Sequence, residues 1–121
     1  MQSAAQAYGA VAKQIVNPRE LEADLLLKAA SRLQAIHDSW ERETSGLNDA
    51  LLYNRKLWSI FLTSVTSGEH PLPVAVRQNV ANLGLFVMNQ TVAMMSNPQR
   101  RHLGSLININ RELAAGLLGR T

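Results

Sequence analysis

Residues 18–40 have the sequence PRELEADLLLKAASRLQAIHDSW, and this stretch decides the fold class. Apolar side chains recur in it at steps of three or four positions: Leu21, Leu25, Ala29, Leu33, Ile36 and Trp40. That spacing places them on one face of an α-helix, while most of the charged residues fall on the other faces. The stretch therefore predicts a long amphipathic helix that buries one face against a core.

The same period continues through the rest of the chain. Prolines occur only at positions 18, 71, 73 and 98, where they separate the periodic segments. No segment alternates apolar and polar residues with a period of two, so we predict no strand. We expect an all-α fold, a compact bundle of about five helices in a single domain over residues 1–121. The predicted helices cover residues 4–16, 18–43, 47–67, 73–95 and 98–118.

The ends of these helices carry recognisable signals. Asn17-Pro18 and Asn97-Pro98 each combine a favourable N-cap residue with proline at the first helical position. Gly119 follows Leu118 as the glycine expected just beyond a helix end. Residues 1–16 are Ala-rich and weakly amphipathic, so we expect a loosely docked N-terminal helix there.

Residues 73–95 predict a helix with an inward stripe of Val76, Val80, Leu83, Phe86, Val87 and Met94. Gly84 interrupts this helix, where glycine costs about 1 kcal/mol relative to alanine. We expect another helix to approach closely there, either from this chain or from a partner.

Composition excludes several classes of protein. The chain of 121 residues has no cysteine, which excludes a disulfide framework, a thiolate zinc site and a cysteine nucleophile. His37, His70 and His102 belong to no motif typical of a metal site, and no phosphate-binding loop or nucleophile motif is present. We therefore expect a protein that is not an enzyme and that holds no metal and no cofactor.

Charge is unevenly distributed along the chain. Residues 1–49 contain five Lys or Arg and seven Asp or Glu, net −2, whereas residues 50–121 contain seven and two, net +5. The basic half is too sparse for a phosphate-binding stripe and favours at most an acidic partner. No targeting or membrane-spanning segment is visible in the sequence, so we expect a cytoplasmic protein.

Three clusters mix amides with cations and aromatic residues. We select them as the candidate partner-binding site: Tyr53, Asn54, Arg55, Lys56, Trp58, Arg77, Asn79, Asn82, Asn110 and Arg111. Asn54, Asn79 and Asn110 fall inside apolar stripes, where a buried amide is costly unless it is hydrogen-bonded. These amides either bond to one another and fix one packing register, or face a groove and meet a partner.

The order and spacing of several motifs resemble the FlaF family of alphaproteobacterial flagellar regulators. These motifs are NPRELEA (17–23), LNDALLYNRKLW (47–58), RQNVANLGLFV (77–87) and LININRELAAGL (106–117), and the resemblance covers residues 8–118. It implies a protein without enzymatic activity that binds flagellin, the filament subunit, and supports its production and secretion. It also implies a link to the regulator FlbT.

The resemblance and the helical pattern agree on a mode of recognition. Flagellin's terminal segments are amphipathic helices that would need a groove to cover them, and helix-in-groove docking is a common mode. The alternative is a post-transcriptional regulator that acts through flagellin mRNA or through FlbT. We further expect residues 1–16 either to cover part of the flagellin groove until flagellin displaces them, or to pack close to Gly84 as an ordinary part of the core.

Overall fold

The computed structural model describes residues 18–42, 44–67 and 72–119. Within these ranges it contains α-helices and no strand, which confirms the all-α prediction. The helices are α1 (Pro18–Asp38), α2 (Leu47–Thr66), α3 (Val74–Ser96) and α4 (Arg100–Leu117). The predicted helix over residues 4–16 and the predicted cap at Asn17 lie outside the described residues.

α1 ends at Asp38 and not at residue 43 as predicted. The last turn of a helix leaves carbonyl groups without intrahelical partners. Here Ser39 Oγ donates to the carbonyl oxygen of Ala35 at 3.0 Å, and Arg100 Nε donates to that of His37 at 3.1 Å. Because Arg100 is the first residue of α4, this bond joins the end of α1 to the start of α4.

The predicted N-cap at Asn97 is wrong. α3 continues through Ser96, and the backbone N–H of Asn97 donates to the carbonyl oxygen of Ala93 at 2.8 Å. Asn97 therefore ends α3, and Gln99 precedes α4 in an extended conformation without a side-chain cap. The glycine predicted beyond the last helix is confirmed, since Gly119 has a φ of 74°.

α1 and α4 form the most extensive helix pair of the described chain. Both helices carry small buried residues, Ala23, Ala29 and Ala30 on α1 and Ala114 on α4. Short side chains allow two helix backbones to approach closely. The two helices run antiparallel, since the first residue of α4 bonds to the last turn of α1.

The helices form a ring in chain order. α2 lies antiparallel to α1, with the guanidinium carbon of Arg32 at 4.2 Å from the centre of the Tyr53 ring. α3 lies antiparallel to α2, where Arg77 Nη1 donates to the carbonyl oxygen of Val65 at 3.4 Å. α3 and α4 make the narrowest contact of the ring. α3 is thus held mainly by α2, and much of its circumference faces outward.

The core fills the centre of this ring. Its largest fully buried apolar side chains are Leu26, Leu33, Leu51, Trp58, Val65, Val87, Met94, Leu103 and Leu106. The stripe predicted for α1 is only partly inward: Ala29 and Leu33 are buried, whereas Leu21 is exposed. Side chains from all of the described helices contribute, so they form one core.

Candidate partner-binding surface

Three residues of the predicted site meet inside the bundle. Asn54 and Trp58 lie one turn apart on α2, and Asn110 reaches them from α4 across the ring. Trp58 Nε1 donates to Asn110 Oδ1 at 2.9 Å, and Asn110 Nδ2 donates to Asn54 Oδ1 at 2.7 Å. All three residues have no exposed surface. We call this arrangement the polar node.

The polar node has a fixed direction. An indole nitrogen can only donate, so Asn110 must present its oxygen to Trp58 and its amide nitrogen to Asn54. Asn110 Nδ2 also lies 3.5 Å from the carbonyl oxygen of Leu26 on α1. Asn110 therefore connects α1, α2 and α4 with one side chain. Asn54 Nδ2 is left buried without a hydrogen-bond partner.

For Asn54 and Asn110 this geometry corresponds to the first of the two interpretations of the core amides. Asn79, predicted to fall inside an apolar stripe as they do, is exposed instead. A buried amide that bonds only to another buried group selects one rotational setting of the two helices, because any other setting leaves it unpaired. In the described structure Asn54, Trp58 and Asn110 are closed off from a partner. These three residues stabilise the packing of the helices and are not part of the protein's surface.

Two further residues of the predicted site bind other parts of the chain. Tyr53 is half-buried beneath Arg32. Arg77 Nε donates to the carbonyl oxygen of Leu72 at 3.0 Å, in addition to its bond with Val65. Arg77 thereby ties the C-terminal end of α2 to the segment that enters α3. Both side chains are at least partly used in holding the bundle together.

The other predicted site residues are exposed. Arg55 and Lys56 lie on α2, Asn79 and Asn82 on α3, and Arg111 on α4. Asn82 Oδ1 accepts a hydrogen bond from Gln78 Nε2 at 3.4 Å on the outer face of α3. The predicted site is thus divided between buried or half-buried positions and exposed positions on α2, α3 and α4, and it does not form one cluster.

α3 presents the feature that the sequence analysis missed. Of the nine large apolar side chains exposed among the described residues, six lie on this helix, between 39% and 72% exposed. They are Val74, Val76, Leu83, Leu85, Phe86 and Val92. Contiguous exposed apolar surface on a small protein typically marks a protein-binding site. A signal was available, since Arg77 is the only charged residue in the 23 residues of α3.

The buried side of α3 packs against α2, so the other sides of this helix face outward. A β-carbon added at Gly84 would come within 2.7 Å of Leu62 Cγ on α2, so the glycine allows α2 to approach at this point. This confirms the expected close approach and assigns it to the chain's own helix. Val80, Val87 and Met94 complete the buried stripe. Val76, Leu83 and Phe86, predicted to lie in that stripe, are exposed beside it.

A second apolar opening lies between α1 and α2. It is a cavity of about 130 Å³ lined by Leu25, Leu26, Leu57, Ile60 and Phe61, with Glu22 and Ser64 at its edge. Ile60 is the exposed apolar residue of its lining, and Leu21 on α1 is exposed to a similar extent. This region exposes fewer large apolar side chains than α3 does. It provides a matched position for control substitutions.

The described residues contain neither a cluster suited to a metal ion nor a membrane-spanning helix. No group of three or more His, Cys, Asp or Glu side chains suited to a metal ion occurs in residues 18–42, 44–67 and 72–119. Over the same ranges, no helix is both long enough and apolar enough to span a membrane. The apolar surface of α3 is therefore the strongest candidate site among the residues that the structure describes.

Comparison with known proteins adds a family assignment. No curated protein and no solved structure matches the chain. The model of one family, described as flagellar protein FlaF, matches residues 4–117. This match covers nearly the whole sequence, including the polar node and all of α3, and it agrees with the resemblance of the motifs. The chain therefore belongs to the FlaF family of flagellar proteins.

Proposed function

We propose that this protein binds flagellin through the exposed apolar surface of α3 and supports flagellin's production and secretion as a chaperone or regulator. The observation that carries this proposal is the concentration of exposed apolar side chains on a helix with a single charge. Membership of a flagellar family supplies the context. The chemistry needs only non-covalent binding, so the proposed role is not enzymatic.

The proposed mechanism is the covering of an amphipathic helix. Each buried apolar side chain contributes roughly 1.5–3 kcal/mol relative to exposure, so a helix that docks on Leu83 and Phe86 gains most of its affinity there. While docked, that flagellin helix cannot pair with other flagellin molecules. The exposed amides of Asn79 and Asn82 would hydrogen-bond polar groups at the edge and fix the register.

A pair of double variants tests this proposal. Leu85→Asp with Phe86→Asp places two charges on α3, and Leu21→Asp with Ile60→Asp places two at similarly exposed positions of α1 and α2. We expect the α3 variant to bind flagellin at least about tenfold more weakly, a loss of about 1.4 kcal/mol or more. The control variant should bind like the wild type.

Co-purification and calorimetric titration with monomeric flagellin measure the binding, and thermal melting checks that both variants fold. Equal binding by wild type and α3 variant, or a larger loss in the control variant, would contradict the proposal. Truncation of flagellin at either terminus then shows whether its terminal helices are the bound segments.

The alternative, regulation through flagellin mRNA, rests on the net charge of +5 in residues 50–121. Arg55, Lys56 and Arg111 are exposed cations in that half. Salt separates the two functions, because phosphate contacts weaken steeply between low and physiological salt whereas apolar docking changes little. Flagellin binding that persists at physiological salt, without mRNA binding, favours the chaperone. Binding to FlbT instead of flagellin would favour the other form of the regulator.

A further inference from the structure

The exposed apolar residues of α3 fall into two stripes. Val76, Leu83 and Phe86 are separated by seven and three positions, so they share one side of the helix. Val74, Leu85 and Val92 are separated by eleven and seven positions, so they share another side. Between the stripes, on the outermost line of the helix, lie Gln78, Asn82 and Asn89, all exposed.

The structure identifies which neighbour each stripe faces. Val74 and Ala81 line a cavity of about 210 Å³ together with Val65 and Thr66 of α2. The stripe of Val74, Leu85 and Val92 is therefore the α2-side stripe. The stripe of Val76, Leu83 and Phe86 lies beyond the buried Val80 and Val87, on the side that turns away from α2. We call it the α4-side stripe, since α4 is the other helix that α3 contacts besides α2.

One straight helix cannot cover both stripes. A docked helix contacts its neighbour along a single seam, and the amide ridge of Gln78, Asn82 and Asn89 stands between the two seams. A helix laid on the ridge would bury amides and leave apolar side chains in water. Complete coverage of α3 requires two helices, one on each side of the ridge.

The two sides differ in charge. Leu62 packs against Gly84 and Val65 bonds to Arg77, so the antiparallel register places Val92 opposite residues 50–54 of α2, just before Arg55. Arg55 and Lys56 are exposed there. α3 has no acidic residue, and Asp49 is the one acidic residue of α2. The α2-side stripe thus has a basic edge that favours a helix with acidic side chains beside its apolar face.

We infer that α3 holds two helical segments of one flagellin molecule, one on each stripe, and that the segment on the α2-side stripe carries acidic residues next to its apolar face. This inference rests on the proposed function and specifies its geometry. A second copy of this chain fits less well. A symmetric dimer through the α2-side stripe would bring the basic edges of both copies together, in the half of the chain with net charge +5.

Separate variants of the two stripes test the inference in the full-length protein. One variant carries Leu83→Asp with Phe86→Asp, and the other carries Leu85→Asp with Val92→Asp. The probes are intact monomeric flagellin and labelled peptides of its N-terminal and C-terminal helical segments, measured by fluorescence anisotropy. We expect each variant to lose about tenfold or more in affinity for one peptide and to keep the other within about twofold.

Charge reversal sharpens the assignment. Arg55→Glu with Lys56→Glu should weaken only the peptide that depends on the α2-side stripe, and the difference should shrink at high salt. Arg101→Glu, at an exposed position of α4, serves as the control and should change neither peptide. Thermal melting identifies any variant that fails to fold, and the corresponding alanine double variants then test the same stripes with smaller effects in the same direction.

Three results would overturn the inference. Loss of the same peptide in both stripe variants would show that one helix spans the ridge. Wild-type binding of intact flagellin through a single peptide would show that one stripe has another occupant. Self-association of the wild type that the α2-side variant abolishes would assign that stripe to a second copy. If the wild type binds neither flagellin nor the peptides, the proposed function itself fails.

Discussion

α4 and α3 are neighbours in the chain, and their outer surfaces have opposite character. The exposed side chains of α4 are charged or polar, including Arg100, Arg101, Arg111 and Glu112, and its apolar residues are buried or half-buried. α3 exposes Leu85 to 62% and Val92 to 58%. Both helices are long and both contribute to the core. The two helices therefore differ in their outer surfaces. That of α4 is polar and suited to water, whereas that of α3 is largely apolar and suited to contact with another protein.

The difference teaches how to separate a structural helix from a binding helix. An amphipathic helix such as α4 presents polar side chains to water on one face and apolar side chains to the core on the other. A helix that is apolar on most sides is normally buried on most sides, and α3 is covered mainly by α2 alone. Substitutions inside α4 should thus reduce stability, while substitutions on the outer surface of α3 should reduce binding and leave stability nearly unchanged.

The largest expected loss of stability comes from Asn110→Ala. The substitution removes the acceptor of the Trp58 N–H and the donor to Asn54, and it leaves both groups buried without partners. We expect a loss of about 3 kcal/mol in the free energy of unfolding, measured by denaturant titration. Asn108→Ala, at an exposed position of the same helix, is the control and should cost less than about 0.5 kcal/mol. Equal losses would show that the polar node contributes little.

Gly84→Val tests the contact between α2 and α3. The new side chain would overlap Leu62, so we expect a loss of about 2 kcal/mol in unfolding free energy. Gly116→Ala is the matched control on α4, because nothing lies within 4 Å of its added β-carbon. There the gain in helix propensity should stabilise the protein by up to about 1 kcal/mol. A neutral Gly84→Val would mean that α3 moves easily on α2.

Asn54→Ala should cost less than Asn110→Ala, about 1–2 kcal/mol. Only Asn110 Nδ2 loses a strong partner, and it keeps its long contact with the carbonyl oxygen of Leu26. Asn54 Nδ2, unpaired in the native state, disappears with no loss of a bond. Thermal and denaturant melting compare the two variants. Unchanged melting together with lost flagellin binding would move Asn54 from a structural role to the binding surface.

Arg77→Ala should have a smaller effect, about 1 kcal/mol. It removes the hydrogen bonds to the carbonyl oxygens of Leu72 and Val65, which are only partly buried and which water can partly replace. Arg111→Ala removes an equally charged side chain from the outside of α4 and should change stability very little. If flagellin binding falls tenfold while melting stays constant, Arg77 contacts the partner directly.

Deletion of residues 1–16 should have the smallest effect on stability. The large buried side chains of α1, α2, α3 and α4 pack into one core with one another, so the shortened chain should remain folded by circular dichroism. If residues 1–16 cover part of the flagellin surface, their removal should leave affinity equal or higher. A deletion variant that unfolds, or that folds and loses flagellin, would make the N-terminal segment part of the core or of the site.

Helix positions could be predicted because apolar period and proline placement are local properties. The rotation of a helix about its own axis could not always be predicted. In α3 apolar residues occupy nearly every side, so the sequence does not indicate which of Val80 and Leu83 is inward, and we placed both in one stripe. The burial of Val80 and the exposure of Leu83 are set by where α2 approaches Gly84.

The candidate site was predictable in part for the same reason. Asn54 and Asn110 lie within clear apolar stripes, and their pairing was one of the two interpretations offered by the sequence. Trp58 is a donor that completes the pair, but its contact with Asn110 joins residues separated by 52 positions. The Asn97 cap was mispredicted because the same residue is suited to ending one helix and starting another. Which it does depends on how far α3 extends.

The polar node also contains a proton whose exchange rate measures how often the bundle opens. The indole proton of Trp58 is enclosed on all sides and bonded to Asn110, so it can exchange for deuterium only when α2 separates from α4. Trp40, which is only half-buried, supplies a second indole proton as an internal reference. In a deuterium-exchange spectrum the ratio of these two signals would report how often the core opens. Docking of flagellin on α3 should slow the exchange of the Trp58 indole proton and leave that of Trp40 unchanged.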